Sequence, residues 1–268
     1  MDAARWRDSY AADCAVPAGR PLPDLVAELA EALRHEDPDL RDGEPYVVLR
    51  TWIERDLVAG ELRRWLGLLM AERFADPAIQ ARAFAPLVLD MIVARGDVDP
   101  AWVDAFARWY PAEEDLRGWD ERLGWLHAVA HGADLLGSLG LHRDVDPVAM
   151  LDLAAARLTA PTGHLFDQQE DDRLAQALAR TLTRPELSEE QAVAWLDAVE
   201  ADFAKGRPPG VPTTAAHTSN AMRTLRALYV LADTGVTGRR GGPVLAVRHA
   251  EAVKARLREV LGLVFQAY

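Results

Sequence analysis

An all-α fold is predicted for this 268-residue chain, with antiparallel helix pairs stacked in a curved, HEAT-like α-solenoid or α/α superhelix. Three observations predict it. Asp-Pro occurs at Asp37-Pro38, Asp76-Pro77, Asp99-Pro100 and Asp146-Pro147; aspartate caps helices well, and proline suits a first turn, where its missing N–H has no helical partner. Helically spaced apolar runs follow the last three: Ile79, Ala83 and Leu87; Trp102, Phe106 and Trp109; Val148, Leu151 and Ala155. No run alternates convincingly. Tyr46-Val47-Val48-Leu49 comes nearest, and its continuation through Trp52 and Ile53 favours helix.

In order, helices are expected near 3–12, 23–35, 45–57, 60–74, 77–95, 100–110, 121–139, 147–158, 168–182, 189–205, 215–234 and 243–266. Ser188 with Gln191 three residues on forms a capping-box signal. Gly96, Gly206 and Gly235 sit where helix stops belong. Short connections imply antiparallel neighbours. Asp99 and Asp146 start helices 47 residues apart, within the period of helical-pair repeats. The loops 36–44, 205–213 and 235–243 are too short to read as interdomain linkers, so a single domain over 1–268 is expected. Trp52, Trp102, Trp109, Trp125 and Trp195 fall at core-facing helical positions.

Half of the residues are hydrophobic, which marks a folded chain, and the net charge is −12. That balance argues against a nucleic-acid surface, which needs clustered Lys and Arg, and against an anionic membrane surface. Cys14 is the single cysteine, so an intrachain disulfide and a multi-cysteine zinc site are both excluded. The N-terminus MDAARWRDSY lacks a signal-like apolar stretch, and no window is apolar enough to span a bilayer. A soluble, cytoplasmic protein is expected.

The segment LGWLHAVAHGADLLGSLGL, residues 123–141, has only four polar members: His127, His131, Asp134 and Ser138. On a helix turning about 100° per residue they share an arc of roughly 60°. A helix apolar on its other sides is normally buried. Because unpaired buried charge is costly, such a stripe should face a polar cavity. Three readings stay open. His127 and His131, at i and i+4, suit a divalent metal, with Asp134 as a third ligand. The same three side chains suit an acid–base pocket for a small polar or anionic ligand. They also suit a purely structural network.

Upstream, EEDLRGWDERLGW (113–125) is charge-dense. It reads either as a solvated loop or as a mouth at which Arg117, beside Gly118, grips an anion. In QQEDDRLAQAL (168–178), Glu170 shares a face with Leu174, Ala177 and Thr181, so it points inward, with Arg173 as a candidate partner. Asn220 aligns with Thr224, Ala227 and Leu231, either as a ligand contact or as a core amide bonded to backbone. No HExxH, GxSxG, P-loop or GxGxxG is present.

The run EEDLRGWDERLGWLHAVAHGADLL resembles the signature of a bacterial family numbered 2785 among domains of unknown function. That signature is an acidic pair, Arg-Gly, then Gly-Trp-x-His-x-x-Ala-His-x-Ala-Asp. Here it falls on Glu113, Asp115, Arg117, Gly118, Gly124, Trp125, His127, Ala130, His131, Ala133 and Asp134. QEDDRLA and NAMRTLRALY resemble further family blocks, carrying Glu170, Arg173, Asn220, Arg223 and Tyr229; Trp119 stands where an aromatic such as Tyr is expected. The resemblance implies a shared site but supplies no activity. The expectation is therefore an enzyme or small-ligand-binding protein. Its alternative is a helical-repeat interaction scaffold in which the stripe is structural.

Overall fold

All four Asp-Pro aspartates accept a hydrogen bond from the backbone N–H two residues on, at 2.9–3.0 Å: Asp37 from Asp39, Asp76 from Ala78, Asp99 from Ala101 and Asp146 from Val148. Asp37, Asp99 and Asp146 stand directly before their helices, whereas Asp76 closes a turn ahead of a helix that begins at Ile79 with Ala78 as its N-cap. The Ser188–Gln191 capping box forms in both directions. Gly96, Gly206 and Gly235 adopt positive φ where their helices stop. The computed structural model, which describes residues 3–206, 213–238 and 242–264, is mostly helical.

The chain divides into two compact units, Met1–Trp109 with Arg117–His131, and Tyr110–Leu116 with Gly132–Tyr268. The first contains α1 (Ala3–Ala11), α2 (Leu22–Ala32), α3 (Pro38–Arg41), α4 (Glu44–Glu54), α5 (Gly60–Arg73), α6 (Ile79–Ala94) and α7 (Pro100–Trp109). It also holds a small hairpin, β1 (Trp119–Asp120) paired antiparallel with β2 (Gly124–Trp125). Helix α4 lies against α1, α2 and α6, while α5 packs on α6 and α7. Aromatic contacts knit this core: Trp6 meets Trp52 edge-on at 6.0 Å, and Phe74 stacks on Trp109 at 4.7 Å.

The second unit contains α9 (Pro147–Thr159), α10 (Glu170–Thr181), α11 (Glu189–Ala194), α12 (Leu196–Ala204), α13 (Ala216–Thr234) and α14 (Ala250–Gly262). It includes a second hairpin, β3 (Val236–Thr237) with β4 (Val244–Leu245). Helix α13 is the hub, packing on α9, α10 and α14. Helix α8 (Ala128–Leu141) gives its first turn to the first unit and the remainder to the second. Its glycines have a packing reason. A Cβ at Gly132 would overlap the Tyr110 ring, and one at Gly140 would overlap the Thr181 side chain.

The helix expected at 189–205 is split into α11 and α12, and two expected helices begin well after their predicted starts. The one placed at 121–139 begins at Ala128, because residues 119–125 turn back as the β1–β2 hairpin. The one placed at 243–266 begins at Ala250, after β4; its last two residues lie outside the described ones. Parts of two expected loops, residues 207–212 and 239–241, also lie outside them. Among the described residues, no helix is long and apolar enough to cross a membrane.

Candidate functional site

The first unit's hairpin is set by Asp120, whose Oδ1 accepts from the N–H of Arg122 (2.9 Å) and of Leu123 (2.8 Å). Gly124 follows at φ +70, packed so closely on Pro38 that a Cβ would lie 2.8 Å from the Pro38 Cβ. Beyond this turn Gly124 and Leu126 are buried and Trp125 between them lies on the surface. Trp125 is therefore a strand residue and 42% exposed, not the core tryptophan its helical spacing suggests; Trp52, Trp102, Trp109 and Trp195 are buried as expected.

His127 sits between hairpin and helix at φ +55, a left-handed conformation that costs an L-residue about 1–2 kcal/mol. Its carbonyl accepts the His131 N–H at 2.8 Å, so it precedes α8 and caps the first turn from outside. The ring stacks on Trp125 at 4.6 Å, with planes 6° apart. The His131 ring follows at 5.6 Å, bonds the Ala83 carbonyl through Nδ1 (2.9 Å), and meets Phe84 edge-on at 5.5 Å. Trp125, His127 and His131 thus form one aromatic column, its inner end buried.

Arg41 holds the column's base in place. It is 0% exposed and lies 4.9 Å from the Phe84 ring centroid. Its guanidinium donates to the carbonyls of His35 (3.1 Å), Leu123 (2.5 Å) and Trp125 (3.0 Å), and to both Asp42 carboxylate oxygens (2.6 and 3.2 Å). Burial pushes the Asp42 carboxyl above its ordinary range, against the opposing pull of Arg41 and, more weakly, His127.

Outside this column lies an open surface cavity of about 770 Å³, lined by Arg7, Tyr10, Asp39, Asp42, Glu44, Trp119 and Trp125 among others. Tyr10, Trp119 and Trp125 are 51%, 48% and 42% exposed. The two indoles stand 4.7 Å apart at 73°, as two walls of a corner. The sequence reading missed Arg41, Asp42 and Tyr10, and noted Trp119 only as a variant aromatic. The short α3, with its Asp37 cap, was legible as a loop and nothing more.

The other expected site residues fall elsewhere. Arg117, expected as an anion grip, forms an ion pair with Asp120 of its own hairpin. In the second unit, Asp134 of α8 forms a two-point ion pair with Arg173 of α10, Nε to Oδ1 at 3.0 Å. Arg173 therefore serves Asp134, where the sequence suggested Glu170. Glu170, fully buried, accepts the Gln168 N–H through Oε2 at 2.8 Å, closing the turn into α10. Glu113 accepts the Asp115 N–H (3.0 Å), and its carbonyl, with that of Tyr110, is held by the buried Arg157 (2.9 and 3.0 Å). Asn220 bonds the Phe166 N–H and the His164 carbonyl, each at 2.9 Å, as a core amide fastening a loop. Asp171 pairs with Arg223 at 2.7 Å. Ser138 is half-buried on α8. Among the described residues, no three His, Cys, Asp or Glu side chains form a group that could hold a metal ion.

Fold and site together define a class: a mostly helical protein whose first unit presents an aromatic-walled, acid-lined cavity on a buttressed hairpin. A family model matches residues 70–230, more than half of the chain, and the protein belongs to that family, described as Protein of unknown function (DUF2785). No curated protein and no solved structure matches the chain. The matched stretch includes the hairpin tryptophans, both histidines and Asp134; the cavity residues Arg7, Tyr10, Asp39, Asp42 and Glu44 precede it.

Proposed function

We propose that this is a small-ligand-binding protein whose ligand sits in the first unit's cavity, with the Trp125–His127–His131 column behind it. One observation carries the reading: three half-exposed aromatic side chains converge on one cavity of about 770 Å³. That volume suits a small molecule, and exposed aromatics cost free energy in water that a ligand recovers by covering them. The finer architecture we propose is a stack of helix pairs of the HEAT-like kind; the short connection between α5 and α6, which pack on each other, supports it.

The test is a thermal-shift screen of polar metabolites against the wild type and Trp119→Ala. We expect at least one compound that raises the wild-type midpoint and leaves the variant unmoved. Compounds that shift both proteins equally, or a screen in which no shift depends on Trp119, would overturn the assignment. A second reading, an interaction scaffold with a structural stripe, draws support from the Asp134–Arg173 pair. It predicts a protein partner retained by Trp119→Ala.

A further inference from the structure

We infer that the cavity walled by Trp119, Trp125 and Tyr10 receives a small organic cation bearing a methylated ammonium group. The inference rests on the reading that this cavity is the ligand site, and it adds the ligand's chemistry.

Three features of the cavity choose a cation over other guests. The first is charge. Among the described residues, Asp39, Asp42 and Glu44 line it with Arg7 as the one lining cation, and Arg41 behind Asp42 is buried and spent on three carbonyls and that carboxylate. An anion entering would meet Asp39 and Glu44 with Arg7 alone to offset them, because Asp42 and Arg41 answer one another. The whole chain's charge of −12 adds a field that draws cations in.

The second is the shape of the aromatic wall. Indole faces attract cations through their quadrupole, and tryptophan does so best. A flat sugar ring wants a platform to lie on. Two indoles at 73° instead make a corner that touches a compact, roughly spherical head group from two sides, with the Tyr10 ring at the same cavity. A bare ammonium is strongly hydrated and gives up little to such a corner, whereas methyl groups spread the charge over apolar surface that aromatic walls can cover.

The third is the state of Asp42. Its carboxyl is raised by burial even with Arg41 bonded to it. Its ionised form is therefore short of solvation, and a cation in the cavity supplies what water cannot.

The experiment titrates the full chain with choline, followed by tryptophan fluorescence and calorimetry. The comparison ligand is 3,3-dimethyl-1-butanol, which has choline's shape with carbon in place of the charged nitrogen. Choline should saturate and bind at least tenfold more tightly than the neutral analogue. Trp119→Ala should weaken choline at least tenfold, and Asp39→Asn, a change at an exposed side chain that leaves the fold untouched, at least threefold. Equal affinity for choline and its analogue, or no saturation by choline, overturns the inference. Saturation by a neutral disaccharide in place of choline also overturns it, yet leaves the cavity standing as the ligand site. Failure of that underlying reading looks different: no compound of any class would then depend on Trp119.

Discussion

In the second unit the polar side chains that the sequence singles out meet charged or backbone partners; in the first, three aromatic side chains face water at one cavity. Asp134 meets Arg173, Asp171 meets Arg223, Arg157 closes on the carbonyls of Tyr110 and Glu113, and Asn220 fastens the 164–166 loop. Each of those polar groups is answered within its own unit, which is what burial demands of it. Nothing in the fold demands that Trp119, Trp125 and Tyr10 stay half-exposed around one cavity. The difference teaches where to look for function here. Polar residues on buried helices are explained by the need for partners, whereas unsatisfied apolar surface beside acids calls for something from outside.

That comparison breaks most sharply at Arg41. Arg41→Met would strip three carbonyls and the Asp42 carboxylate of their donor, and should cost about 3–5 kcal/mol in urea denaturation. It should abolish ligand response as well, because the Trp125 backbone is one of those carbonyls. A loss below about 1 kcal/mol would mean that the hairpin is held by something other than this guanidinium. In the second unit, Asn220→Ala leaves the Phe166 N–H and the His164 carbonyl without their side-chain partner and should cost about 1–3 kcal/mol. Its ligand response should stay intact. Asp134→Ala should cost less, about 1 kcal/mol, because both members of that ion pair are partly exposed and solvent screens them. If Asp134→Ala removed ligand response while sparing stability, the second unit's polar residues would have to be counted as functional.

Much of this was legible in the sequence, and the misses have physical causes. The Asp99 and Asp146 caps and the Ser188 capping box are local chemistry and form as read, whereas Asp37 caps a short helix inside an expected loop and Asp76 closes a turn ahead of α6, whose N-cap is Ala78. The stripe on α8 is legible too: Ala128–Ala130, Leu135–Gly137 and Leu139–Gly140 are buried, and Asp134 and Ser138 are the half-buried exceptions between Ala128 and Gly140. What periodicity could not supply is the partner. Arg173 lies 39 residues from Asp134, and nothing local prefers it over a histidine. The hairpin was lost for another reason. Leu123 and Leu126, three apart, fit a helical face, whereas the strand buries Gly124 and Leu126 around an exposed Trp125, and it is the Asp120 turn and the positive φ of Gly124 that set it. Arg41 was invisible because its acceptors, the carbonyls of Leu123 and Trp125, stand more than 80 residues away.

The finest test of the contrast is electrostatic. The Asp42 carboxyl is raised in the folded chain, chiefly by burial, so folding favours its protonated form. A group bound more tightly to its proton in the native state contributes stability below its ordinary range, and that contribution fades as pH rises through the raised value. Asp42→Asn cannot ionise and lacks this decline. The stability of the variant relative to the wild type should therefore climb as pH increases through the window just above the ordinary carboxylate range, then level off toward neutrality, whatever constant offset the lost Arg41 contact adds. Denaturation midpoints of the two proteins at a series of pH values read that slope directly. A relative stability that falls over the same window would show that the Arg41 ion pair outweighs burial at Asp42, and would remove one reason for a cation to be drawn to it.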